Sequence, residues 1–129
     1  MRQARHDNLS KGQREIGGCC ISTTLRDYAR LGLFALVDGV RPDSTRVLPE
    51  GWTAASTGSS QGYEVYGYKW WLGADGRYGA YGIFGQKFAI DPKAQLVIAL
   101  HSNAQAASGS TYGQELESAL AAISEHLTN

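Results

Sequence analysis

Two backbone periods account for most of the apolar pattern, and they occupy different stretches of the chain. Leu25, Tyr28, Ala29, Gly32 and Leu36 recur at i, i+3, i+4, i+7 and i+11, which is one face of a helix. Thr24, with Asp27 three residues on, predicts a capped start for it, and Gly39 predicts its stop. Pro49 predicts the first residue of a short second helix over 49–57, followed by a Gly/Ser-rich loop to Gly62. The pattern then turns to β chemistry. Tyr63, Val65, Tyr66, Tyr68, Trp70 and Trp71 suit a pleated, half-buried surface. Lys87 to Ile90 and Leu96 to Leu100 are two further apolar runs, with Asp91 to Gln95 as a hairpin connection that places Pro92 at a turn. After a polar loop over 103–110, Leu116, Leu120, Ile123 and Leu127 return to the helical period, and Ser110 or Thr111 can cap that helix. Residues 1–15 are polar and aperiodic and are expected to form a lead segment, with the folded unit over 16–129. The order predicts an α+β unit: an antiparallel sheet of about three strands with a C-terminal helix packed on it.

Composition narrows what such a unit does. At 129 residues there is room for one domain. Twelve basic side chains against twelve acidic ones, scattered along the chain, leave no basic footprint for nucleic acid or anionic lipid. No apolar run is long enough for a membrane span, and the charged start lacks the apolar stretch of a secretory signal. Cys19 and Cys20 are neighbours, so they are expected to be reduced rather than bridged, which fits a reducing compartment without assigning one. No His/Cys/Asp/Glu spacing suits a metal, and no cofactor is implied.

The 16 glycines exceed the roughly nine an average chain of this length carries. Five of them, Gly73, Gly76, Gly79, Gly82 and Gly85, keep an unbroken period of three. A collagen helix needs far more Pro, and a dinucleotide turn needs a following helix. What remains is a strand where backbone comes close to something, either a packing neighbour or a ligand. Gly58-Ser59-Ser60-Gln61-Gly62 matches a nucleophile elbow in letters only, because a helix precedes it and a strand follows, the reverse of the required order. His101 beside Ser102 at a strand end has no third, orienting group in the pattern. His126 falls in the last helical turn, where a cation suits the dipole. Trp70 and Trp71 put one ring on each face of a strand.

Several segments together resemble the serine hydrolases of the penicillin-recognising type. That family takes in class C β-lactamases, D-alanyl-D-alanine carboxypeptidases, related esterases and the hydrolases of 6-aminohexanoate oligomers. Residues 17–32, from Gly17-Gly18 through Ser22-Thr23-Thr24-Leu25-Arg26-Asp27 to Gly32, resemble the family's glycine-led helix start. Leu48-Pro49-Glu50-Gly51-Trp52 resembles its short helix, and Tyr66-Gly67-Tyr68-Lys69-Trp70-Trp71 its aromatic strand. Gly82-Ile83-Phe84-Gly85-Gln86, Ile90-Asp91-Pro92 and Leu96 to Leu100 resemble its closing hairpin, in the spacing of the esterase and aminohexanoate-oligomer branch.

The resemblance implies hydrolysis of ester or amide bonds in a small molecule through an acyl-enzyme. In that family a Ser-x-x-Lys supplies nucleophile and base, a Tyr relays protons, and a Lys-x-Gly strand closes the site. This chain has no Ser-x-x-Lys and no Tyr-x-Asn. Both motifs precede the helix start in family members, so the resemblance implies the C-terminal part of a longer enzyme, with the remainder N-terminal to it and no turnover alone. Only the third motif carries over. Ala80-Tyr81-Gly82 is the expected counterpart of Lys-x-Gly, with the backbone N–H of Ile83 as an oxyanion donor. Gly82 would then avoid crowding the substrate, and Tyr81 and Phe84 would offer an apolar wall. Arg77-Tyr78-Gly79 is the competing alignment and would retain a cation. Under the first, the lysine that recognises a penicillin-type carboxylate is missing, which favours other esters or amides. The other class of function is a non-catalytic α+β module that binds a partner or a sugar through exposed Tyr and Trp.

Overall fold

The structure, a computed structural model, describes residues 5–6, 21–105 and 111–128. Expectations for the Gly17-Gly18 pair, for Cys19 and Cys20 and for Ser110 as a cap lie outside these residues. Within the lead segment, expected as loop, β1 (Arg5–His6) pairs antiparallel with β2 (Ile21–Ser22).

α1 (Leu25–Leu36) starts and stops where its sequence says. The Thr24 hydroxyl accepts from the Asp27 amide at 3.2 Å and donates to the Asp27 carboxylate at 2.9 Å, satisfying an orphan helix amide. Gly39, at φ +72°, returns its amide to Phe34 O at 2.9 Å, the left-handed stop that glycine accepts without strain. The second helix is shorter than expected. α2 spans Trp52–Ser56, with Gly51 as N-cap. Pro49 sits ahead of it, its carbonyl taking the Trp52 amide in a turn. What fixes α2 comes from elsewhere in the chain: the Asp38 carboxylate accepts from Thr53 N at 2.9 Å and Gly51 N at 3.2 Å, and pairs with Arg46 at 2.8 Å. Those donors, the Thr53 amide first and Arg46 next, hold the Asp38 carboxyl down at about 2.

The sheet has four strands rather than about three, in the order β3 (Trp71–Leu72), β4 (Tyr78–Tyr81), β5 (Lys87–Asp91), β6 (Leu96–Leu100), all antiparallel. The strand expected over 63–71 shrinks to Trp71 and Leu72. Its aromatic residues are instead held in turns by two isolated bridges, Ser60 with Tyr63 and Tyr66 with Trp71. Ring-to-ring packing, not a ladder, explains their residue types: Tyr66 meets Trp71 edge-on at 4.9 Å.

The register assigns every side chain to a face. Leu72, Tyr78, Ala80, Phe88, Ile90, Val97 and Ala99 share the face under α1, with Ile90 fully buried at the centre. α1 lies across β5 and β6 and comes closest at Gly32, where a Cβ would stand 2.5 Å from Val97 Cγ1. Tyr28 closes that layer edge-on to Phe88 at 4.8 Å, and Trp70 does so at 5.8 Å. The Trp70 indole N–H donates to the buried Ser56 hydroxyl at 3.2 Å. α3 (Thr111–Thr128) covers the opposite face. Leu120 is buried there, the Lys87 ammonium pairs with Glu117, and Ser124 reaches Asp91 at 3.4 Å. The C-terminal end of its predicted face finds no cover: Ile123 and Leu127 are exposed.

Candidate functional site

The glycine period resolves into two hairpin turns of one design and a strand between them. In the first, Gly73 N donates to Arg77 O at 2.7 Å and Gly76 N to Gly73 O at 3.2 Å, with Gly76 at φ +86°. In the second, Gly82 N donates to Gln86 O at 2.7 Å and Gly85 N to Gly82 O at 3.0 Å, with Gly85 at φ +82°. Nine residues separate the two, so turn and strand requirements interleave to give a spacing of three. Gly79 sits between them in mid-strand, opposite both Trp71 and Ala89, where a Cβ would run into the Phe88 carbonyl oxygen.

The second turn carries the candidate chemistry. It lies at the exposed end of the β4–β5 hairpin, and three of its amides are used: Gly82 by Gln86 O, Gly85 by Gly82 O, and Phe84 by the Gln86 side-chain oxygen at 3.1 Å. The fourth, Ile83 N–H, has no acceptor among the described residues, and Ile83 is 61% exposed. The Phe84 carbonyl accepts from Ala104 N at 3.1 Å, which ties the stretch after β6 to the turn. One amide is therefore left without an acceptor among the described residues in a turn whose other donors are fixed.

The structure gives a reason for Gly82 that the sequence did not show. A Cβ there would stand 2.5 Å from Gln86 Oε1, so the glycine makes room for the glutamine that clamps the turn. Gln86 was visible in the sequence only as a letter of the Gly-x-x-Gly-Gln motif. Its task is to fold back on an amide two residues earlier, which only coordinates display. Ala80 contributes main chain alone, because its side chain packs into the α1 face. Tyr81 points to the α3 face and is engaged there, stacked on Trp71 at 6.0 Å and 5° with the Lys87 ammonium 3.9 Å over its ring. Burial pushes its hydroxyl up, with the Glu117 charge adding to the effect, so it stays protonated at neutral pH. Phe84 is 38% exposed at the turn. Arg77-Tyr78-Gly79 lies elsewhere: Tyr78 and Gly79 are buried in the first half of β4, and Arg77 is paired with Asp75.

The remaining candidates are placed as structure rather than chemistry. Ser59 and Ser60 sit in the loop after α2, with no strand before them. His101 follows β6 and its ring lies 5.4 Å from that of Tyr28. Among the described residues no group of three metal-ligating side chains comes together, and no helix is long and apolar enough to cross a membrane. The aromatic residues of the binding-module reading are exposed at Tyr63 and Tyr68, the latter 6.2 Å from Trp52.

Comparison with known proteins bears on the whole chain. Among curated proteins no sequence matches. Among solved structures, the chain is similar to a candidate 6-aminohexanoate-dimer hydrolase from Bacillus anthracis, with 28% identity and a TM-score of 0.66 over 84% of this chain. It spans 30% of that protein's length. The family model for beta-lactamase matches residues 2–122. With the α+β architecture already described, these findings place the chain in the beta-lactamase family of hydrolases.

Proposed function

We propose that this chain supplies the oxyanion-binding turn and one wall of a serine hydrolase that cleaves ester or amide bonds through an acyl-enzyme. The observation that carries the reading is the state of the second hairpin turn: three amides satisfied internally and the fourth, Ile83 N–H, left without an acceptor among the described residues. When a serine hydroxyl attacks a carbonyl, the carbon becomes tetrahedral and its oxygen takes the negative charge. A fixed amide about 3 Å from that oxygen stabilises the charge without reorganising, whatever side chain the residue bears. Collapse then expels the alcohol or amine, and water releases the acyl group.

The attacking hydroxyl comes from outside this chain, which holds no Ser-x-x-Lys. Ala80 stands where a penicillin-recognising lysine would, so small esters and amides fit the site better than an anionic β-lactam. The Bacillus anthracis protein, named for an amide-bonded dimer, is consistent with that choice.

The test has two arms. The isolated chain, incubated with p-nitrophenyl acetate, is expected to show no burst of nitrophenol. A chimera in which this chain replaces the matched 30% of the Bacillus anthracis protein is expected to show a burst followed by turnover. A burst from the isolated chain, or a folded chimera that never acylates, would overturn the reading.

A further inference from the structure

Among the described residues Lys87 is the one charged side chain that the fold buries, at 4% exposure. A buried ion pair is a poor device for stability, because apolar side chains of the same size often serve as well or better. The task of this lysine is therefore read from where it stands. It opens β5 opposite Tyr81, the ladder pair directly beneath the turn that Gly82 and Gln86 close. That end of the hairpin runs past its neighbour. Among the described residues β3 pairs with β4 only at Tyr78 and Gly79, so Ala80 and Tyr81 continue beyond it.

Side chains stand in for the ladder there. Trp71 stacks on Tyr81 at 6.0 Å, the Lys87 ammonium lies 3.9 Å over the Tyr81 ring, and the same ammonium pairs with Glu117 of α3. The four groups form one row from the β3 edge to the helix. α3 follows β5 along its length: Glu117 meets Lys87 at one end of the strand, Ser124 meets Asp91 at the other, and Leu120 is buried on the same helical face. The Ser124 contact is a long hydrogen bond at 3.4 Å, so the charged contact falls at the end that carries the turn.

We infer that Lys87 is a positioning residue for the oxyanion turn: its ammonium, held by Glu117, fixes the Tyr81 ring and with it the base of the turn that presents Ile83 N–H. The inference rests on the reading of Ile83 as the oxyanion donor. A donor amide stabilises charge only while it stays about 3 Å from it, and a displacement of about 1 Å is enough to cost rate. An ammonium between a carboxylate and a ring is tied to a direction; an apolar side chain of the same volume fills the space without fixing where the hairpin end sits. Lys87 lies on the α3 face beneath the turn and acts through Tyr81 and the main chain.

Lys87→Met keeps the length and removes the charge, and two readouts test it. In the isolated chain, 15N relaxation is expected to show amide order parameters over 82–86 falling from about 0.85 to below about 0.6, with melting temperature moved by less than about 3 °C. Lys87→Arg, which keeps a cation at the ring, is expected to restore them. Glu117→Gln, made at an exposed side chain, is expected to lower the same order parameters by less, and it decides alone where Lys87→Met does not fold. Unchanged order at 82–86 would overturn the inference. In the chimera, Lys87→Met is expected to lower kcat for p-nitrophenyl acetate about tenfold at a KM unchanged within about twofold. Because Lys87 acts through the Ile83 amide, the same substitution in an Ile83→Pro background is expected to cost less than about twofold. A tenfold loss that persists there in full would overturn the inference. A parent chimera that never acylates, with order at 82–86 lost in Lys87→Met, would sink the hydrolase reading and leave Lys87 as the residue that holds the turn; an active chimera with that order unchanged would do the reverse.

Discussion

Gly32→Ala sets two opposing effects against each other, and the structure says which wins. In a helix interior alanine is favoured over glycine by about 1 kcal/mol. At Gly32, however, the new Cβ would stand 2.5 Å from Val97 Cγ1, roughly 1 Å inside ordinary contact, and Val97 is a stiff β-branched residue on a paired strand. Overpacking of that kind costs about 1–3 kcal/mol. The net expectation is a loss of about 1 kcal/mol, or about 3–5 °C in melting temperature for a chain of this size. Removing the obstacle reverses the sign. In a Val97→Ala background the remaining neighbour, Phe88 Cδ2, is at 3.6 Å, an ordinary contact. Gly32→Ala should then stabilise by up to about 1 kcal/mol, a coupling of about 2 kcal/mol between the two positions. Urea titrations of the four proteins measure it. An effect of Gly32→Ala that is the same in both backgrounds would refute the close approach of α1 to β6.

Two further outcomes are expected. Ile90→Ala removes a large apolar side chain fully buried between β4 and β6 under α1, and should cost about 2–5 kcal/mol by the same titration. Asp38 has a folded-state pKa of about 2 against an ordinary 3.8, so its ionised form stabilises the fold above about pH 4 and that contribution is lost as pH falls toward 2. Asp38→Asn should therefore flatten the acid limb of stability against pH, and an unchanged limb would contradict the Asp38 clamp on α2.

How far the sequence could be read depended on whether each element was specified locally. α1 was legible because Thr24, Asp27 and Gly39 satisfy its ends within a few residues. β5 and β6 were legible because their apolar runs flank a turn that Asp91 closes by accepting the Ala94 amide at 2.9 Å. The start of α2 was expected three residues early because its amides are held by Asp38, 15 positions before Thr53, and no local pattern records that. The aromatic run over 63–71 has strand composition but is spent on ring packing and on reaching Ser56. β4 was read as a strand within the glycine period but its bounds were not, because its glycines look like one repeat although they serve two turns and one close approach. At the candidate site Ile83 was singled out only through the resemblance of the Gly-x-x-Gly-Gln spacing to the family's. The reason for Gly82 was not legible, since it lies in a side chain folding back from Gln86.

The central claim is that a single main-chain donor, Ile83 N–H, stabilises charge on a reacting carbonyl. Ile83→Pro tests it most directly, because proline suits the second position of such a turn and removes an N–H that none of the turn's own hydrogen bonds uses. In the hydrolase chimera, with p-nitrophenyl acetate and with melting temperature as the check on folding, the account predicts a loss of about 10²–10³ in turnover at nearly unchanged stability. A variant that stays folded and acylates at the original rate would contradict it.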